Sequence, residues 1–159
     1  MALEQSKIVA YGPFTFEAYK MNSGNTALEL LDVSGGSGDD IKYEGLKSDS
    51  VSFSIEAKEG NIEFEDGTEK YWMEGRTVTV EVTIAELVAA ELDKAEEAVA
   101  IKLVFSQSGK TVQVPPTAKA VAGAYGTLIS SVEDGKTKFM FRYFGAADST
   151  FATDIMTIS

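Results

Sequence analysis

Residues 51–84 read VSFSIEAKEGNIEFEDGTEKYWMEGRTVTVEVTI, and their period decides the fold. Val51, Phe53, Ile55 and Ala57 alternate with Ser52, Ser54, Glu56 and Lys58, and Ile62 and Phe64 alternate with Glu63 and Glu65. Successive side chains of a strand point to opposite faces, so a period of two predicts strands buried on one side. Glu59-Gly60-Asn61 supplies turn residues between the two runs and predicts a hairpin there. Asp66-Gly67 and Glu74-Gly75 read as two further turns. Val78, Val80, Val82 and Ile84, set against Thr77, Thr79, Glu81 and Thr83, form the cleanest strand.

Outward from this stretch the period changes once. Leu87, Val88 and Leu92 recur at helical spacing among alanines, and Thr83 with Glu86 fits a capping box. This predicts a single helix at about 84–97, packed on a sheet by a narrow apolar stripe. Alternation returns at Val99, Ile101, Leu103 and Phe105, and SQSGK turns that strand into TVQV, which Pro115-Pro116 ends because proline cannot donate to a ladder. TAKAVAGAYG reads as an irregular connection or a short strand, and Glu133-Asp134-Gly135 as the turn into KTKFMFRYF. There Phe139, Phe141 and Tyr143 alternate with Met140, Arg142 and Phe144, so both faces are expected to be covered, one by another subunit. FATDIMTI reads as a last strand. The sum is a mostly β single domain over residues 1–159, a β-sandwich or barrel-like sheet of eight to ten short strands with one flanking α-helix.

Composition bounds the function. The 159 residues carry a formal net charge of -11, with 21 acids against 8 bases in residues 1–98 and 4 against 6 in residues 99–159. That field repels nucleic acid and anionic membranes. Its asymmetry suits an acidic face that meets a less acidic face of another copy, although composition alone also produces such unevenness. Cysteine and histidine are absent, which removes disulfides, thiolate metal sites and the commonest general base. The N-terminal MALEQSKIVAYGPF lacks a basic region followed by an apolar run, and no apolar stretch approaches the ~20 residues of a membrane span. Neither a secretory signal nor a membrane anchor is expected.

Chemical motifs fail on context. Gly109-Lys110-Thr111 and Gly135-Lys136-Thr137 resemble the end of a P-loop, but Val104 and Ser130 stand where its first glycine belongs, and strands follow instead of helices. From Asp32 onward, the ligand positions of an EF-hand fall on Ser34, Gly36, Ser37 and Tyr43, leaving Asp39, Asp40 and Glu44 as a non-specific oxygen cluster. Glu63, Glu65, Asp66 and Glu69 offer carboxylates in the number a glycosidase needs, without a cleft of aromatics. No nucleophile–base pattern exists, so no enzyme, metal or cofactor is expected. Tyr71-Trp72-Met73, set between two predicted turns, is either a core plug or an interface anchor.

The order of parts over Val51–Leu92 carries a resemblance. A glycine-rich acidic loop leads to an alternating hairpin with an acidic polar face, then EDGTEKYWMEGR, the strand TVTVEVTI and a helix opened by AEL. This order resembles the tail tube (major tail) proteins of long-tailed bacteriophages. The resemblance covers about half the chain, without an invariant motif. It implies a structural virion protein whose six copies close into a ring, their sheets joined as an inner barrel, and whose rings stack into a tube that conducts DNA without binding it specifically. The protein would be made in the host cytoplasm and reside in the virion tail, its partners being itself and other tail proteins. Ser52, Ser54, Glu56, Glu63 and Glu65 would face the lumen; Tyr71, Trp72, Met73, Phe139, Phe141 and Phe144 would lie at subunit interfaces. Replacing Phe141 or Phe144 with Asp would then leave subunits folded but unassembled. The alternatives are another virion component, such as a tail terminator or connector, and a β-sandwich adhesin or binding module.

Within this frame the loop Leu31–Leu46, with five Gly or Ser residues at 34–38, becomes an inter-ring device. Ordering such a run costs about 1–2 kcal/mol per residue in backbone entropy, so the loop is expected to order only against a neighbouring copy. Leu31 and Asp32 would open it, and Ile41, Tyr43 and Leu46 would anchor its far end on the neighbour. Asp39, Asp40 and Glu44 would meet Lys119 or Lys136. The plain alternative is a solvated surface loop.

Overall fold

Two antiparallel sheets pack face to face in the computed structural model of the chain, which describes residues 11–31, 41–85 and 94–159. The strands are β1 (Phe14–Met21), β2 (Leu28–Leu30), β3 (Lys42–Leu46), β4 (Val51–Glu63), β5 (Glu69–Ile84), β6 (Ala100–Phe105), β7 (Lys110–Val114), β8 (Thr127–Glu133), β9 (Lys136–Ala146) and β10 (Thr157–Ile158). One sheet runs β10-β7-β6-β1-β2, with β3 also on β1; the other runs β4-β5-β9-β8. The mostly β reading of the sequence holds.

Alternation builds the core from both sheets. Phe14, Phe16 and Ala18 of β1 and Ile101, Leu103 and Phe105 of β6 meet Val78, Val80, Val82 and Ile84 of β5 and Phe139, Phe141 and Tyr143 of β9. The rings of Phe16 and Phe139, one from each sheet, stack at 5.7 Å, and Tyr43 lies 5.9 Å from Phe139. Centroid separations in this range are those of favourable aromatic pairs. Asp134 and Gly135, both at positive φ, form the tight β8–β9 turn. This is the primed turn that two-residue hairpins favour, and it removes Gly135-Lys136-Thr137 from phosphate chemistry. Gly109, at φ +70°, likewise sits in the β6–β7 turn.

Several local expectations are corrected. Glu59-Gly60-Asn61 is not a turn: β4 runs through it to Glu63, and the reversal falls at Phe64–Thr68. Nor is Glu74-Gly75 a turn, because β5 is continuous from Glu69 to Ile84, with a register shift opposite Lys58 and Glu59. Both glycines serve close approach. A Cβ on Gly60 would sit 2.7 Å from the Trp72 indole, and one on Gly75 would sit 2.4 Å from the Gly145 carbonyl oxygen. TAKAVAGAYG contains a short helix, α1 (Thr117–Val121), and FATDI forms a π-helical turn before β10. Most of the helix expected over 84–97 lies outside the described residues; a 3-10 turn, Ala95–Glu97, comes after them.

The strand KFMFRYF is covered on one face only. Phe139, Phe141 and Tyr143 are buried, whereas Arg142 and Phe144 are exposed. Phe139 and Phe141 are therefore core residues of their own subunit and not interface residues, because the second sheet of the same chain covers them.

Candidate assembly surface

The β4–β5 hairpin outruns its sheet. β9 pairs with β5 only from Gly75 to Ile84, so beyond Gly75 the hairpin is a two-stranded ribbon of five residue pairs, Glu59↔Met73 to Glu63↔Glu69. At about 3.3 Å per residue this arm extends roughly 15 Å. Directly opposed residues share a face, so Gly60, Ile62, Lys70 and Trp72 lie on one side of it and Glu59, Asn61, Glu63, Glu69, Tyr71 and Met73 on the other. Apolar groups are exposed on both sides and at the tip: Tyr71 at 61%, Ile62 at 49%, Phe64 at 48% and Trp72 at 44%. The Trp72 indole covers Gly60 across the ribbon, a device that shields a strand glycine.

The tip is closed by side chains. The Thr68 amide and hydroxyl both donate to Asp66 Oδ1, at 3.0 and 2.6 Å, while Gly67 takes φ +85°. These donors, the hydroxyl foremost, hold the Asp66 carboxyl below the ordinary aspartate range. On the acidic side the Tyr71 hydroxyl donates to Glu69, and this bond, first among the causes, pushes the phenol's pKa above its ordinary value.

The outer face of the four-stranded sheet is divided. Register places Ser52, Glu81, Met140 and Ile129 in one row, Ser54, Thr79, Arg142 and Thr127 in the next, and Glu56, Thr77 and Phe144 in a third. The β4–β5 half is thus hydroxyl and carboxylate. The β8–β9 half is apolar around Arg142, with Ile129 and Phe144 each about half exposed. Glu81 is held by Lys138 at 3.3 Å, and Arg142 has no ion-pair partner among the described residues.

Sequence-expected groups fall out in a different arrangement. Ser52, Ser54 and Glu56 do share the outer sheet face, but Glu63 lies on the opposite side of the continuous β4 and Glu65 sits in the turn, so the five do not form one surface. The reason is the displaced turn: without a reversal at 59–61, every later residue of the strand falls on the other face from the one expected. Tyr71, Trp72 and Met73 are exposed on the arm and plug no core. Leu31 and Ile41 are fully buried in their own subunit, Tyr43 is 9% exposed and Leu46 packs against the same core. The anchoring of these residues on a neighbour is thereby corrected. The Ile41 amide donates to the Leu31 carbonyl at 2.9 Å, and both residues bond to Ala18. Asp32, Asp39 and Asp40 lie outside the described residues, while Glu44 pairs with Lys42 at 3.5 Å. Lys119, a proposed mate of the loop, pairs with Asp154 at 3.8 Å.

Among the described residues no group of three or more acids could hold a metal ion, and no helix is long and apolar enough to cross a membrane. A surface hollow of about 570 Å³ gathers Lys47, Asp49, Ser50, Thr83 and Lys136. The arm and divided face were missed in the sequence because they depend on where β9 stops pairing, which no local pattern encodes. A comparison with protein-family models and with curated proteins finds no match.

Proposed function

We propose that this chain is a structural, non-enzymatic protein that self-assembles into rings, hexameric in the tail-tube reading, which stack into a conduit for DNA. The observation that carries this is the four-stranded sheet: β4, thirteen residues long, pairs on one side only among the described residues, and its hairpin continues as an arm exposed on both sides. A long unprotected edge invites pairing with another chain, and ring closure is the way to satisfy many such edges at once. The hydroxyl and carboxylate half of the outer face, with Ser52, Ser54, Glu56, Thr77 and Thr79, suits a wall past which a polyanion slides. The partners would be further copies and other virion proteins, and the location the virion tail.

Sedimentation velocity across a hundredfold concentration range, with negative-stain images of the same samples, tests the reading. Rings or tubes are expected. A chain that remains monomeric at every concentration sinks it.

A further inference from the structure

The arm and the Arg142 patch are chemically matched, yet they cannot meet within one subunit. The arm leaves the sheet beyond Gly75, where β9 stops pairing, and continues away from β8 and β9. Its acidic side holds three carboxylates, Glu59, Glu63 and Glu69, beside exposed Tyr71 and Met73. None of the three has an ion-pair partner among the described residues, and Glu63 and Glu69 stand directly opposite each other. Like charges so placed are unfavourable in the free ribbon. The patch offers the converse: one exposed arginine, with Thr79 and Thr127 directly across the strands and Met140, Phe144 and Ile129 nearby on the same face.

We propose that the acidic side of the arm of one copy docks on the β8–β9 face of a second copy, with Arg142 set between Glu63 and Glu69 and with Tyr71 and Met73 on Ile129, Met140 and Phe144. This rests on the self-assembly reading and names the surfaces that join. Arginine is enriched among interface hot spots, and its planar fork offers donors to both carboxylates together. The contact relieves the Glu63–Glu69 repulsion and covers apolar surface on both partners. It is also heterologous, since arm meets patch and not arm, so it propagates from copy to copy.

The chain contains no cysteine, so single-cysteine variants report contacts without background. Full-length Tyr71→Cys and Ile129→Cys proteins are mixed under mild oxidation, and a disulfide-linked heterodimer is expected. Adding Arg142→Glu to the Ile129→Cys protein should weaken association about thirtyfold, the loss typical of a hot-spot residue. Glu63→Arg with Glu69→Arg on the arm-bearing partner should restore it. Unchanged thermal melts of each variant show that folding is intact. Assemblies that form without this cross-link, or that ignore Arg142→Glu, overturn the arm–patch contact while the assembly reading stands. Absence of assemblies from the parent chain overturns both.

Discussion

The two halves of the β4–β5 hairpin carry the same kind of sequence and meet opposite fates. From Gly75 to Ile84, β5 lies between β4 and β9, and Val78, Val80 and Val82 are buried under the second sheet. In β4 beside it Val51 and Phe53 are partly covered and Ile55 is half exposed. From Glu59 to Met73 the same two strands continue alone, and Ile62, Tyr71 and Trp72 stay in solvent. Alternation specifies a strand in both halves, but burial comes only from the neighbours that a strand acquires. A two-stranded ribbon is marginal by itself, so the root supports the arm while the arm adds little to the root.

The sharpest way to break this contrast is to cut the root. Phe141→Ala, in a fully buried position opposite Val80, should lower unfolding free energy by about 3–5 kcal/mol in urea titration. Phe141→Asp should not fold at all, whereas Phe144→Asp, on the exposed face, should melt like the parent. At the junction, Gly75→Ala forces a Cβ against the Gly145 carbonyl oxygen, which is backbone and cannot swing aside. A loss of about 1–3 kcal/mol is expected, read by the same titration.

Substitutions on the arm should act on association and spare the fold. Trp72→Ala should shift global stability by less than about 0.5 kcal/mol, the usual range for surface changes, and yet reduce the assembled fraction in sedimentation. Trp72 is the only tryptophan, so its fluorescence in the parent reports the arm alone and should be red-shifted in the free subunit. The smallest effect is the pH response of the tip. The Asp66 carboxyl is held low in the folded turn, so its contribution is complete above the ordinary aspartate value of about 3.9 and fades as pH falls through the lowered one. Protection factors of the Phe64 and Gly67 amides, taken relative to the unstructured chain at the same pH, should fall in acid, and in Asp66→Ala they should be low already at neutral pH.

The same residues mark how far the sequence could be read. Period-two alternation identified Val78–Ile84 of β5 and Ile101–Phe105 of β6 with their core faces, because each has a one-sided apolar row, but it broke β4 in two at Gly60. Asp134-Gly135 announced its turn through chemistry that only positive φ explains. Gly60 and Gly75 misled because a glycine that admits an indole or a carbonyl looks like one that turns the chain. KFMFRYF misled because Phe144, though apolar, is half exposed and Met140 is only partly covered. The acidic loop misled at its ends, where Leu31 and Ile41 belong to the subunit's own core. Apolar content marks what is able to be buried, and only topology decides what is.

The hydrogen bond between Ile41 and Leu31 makes the two ends of that loop into a neck. Leu31 and Ile41 thus stand side by side in the core, and the peptide that joins them begins and ends at one point. Doubling the intervening length would cost only about 0.6 kcal/mol of closure entropy. The neck is thus a splice point: an epitope or a small folded domain inserted between residues 32 and 40 should leave the melting temperature of the chain nearly unchanged.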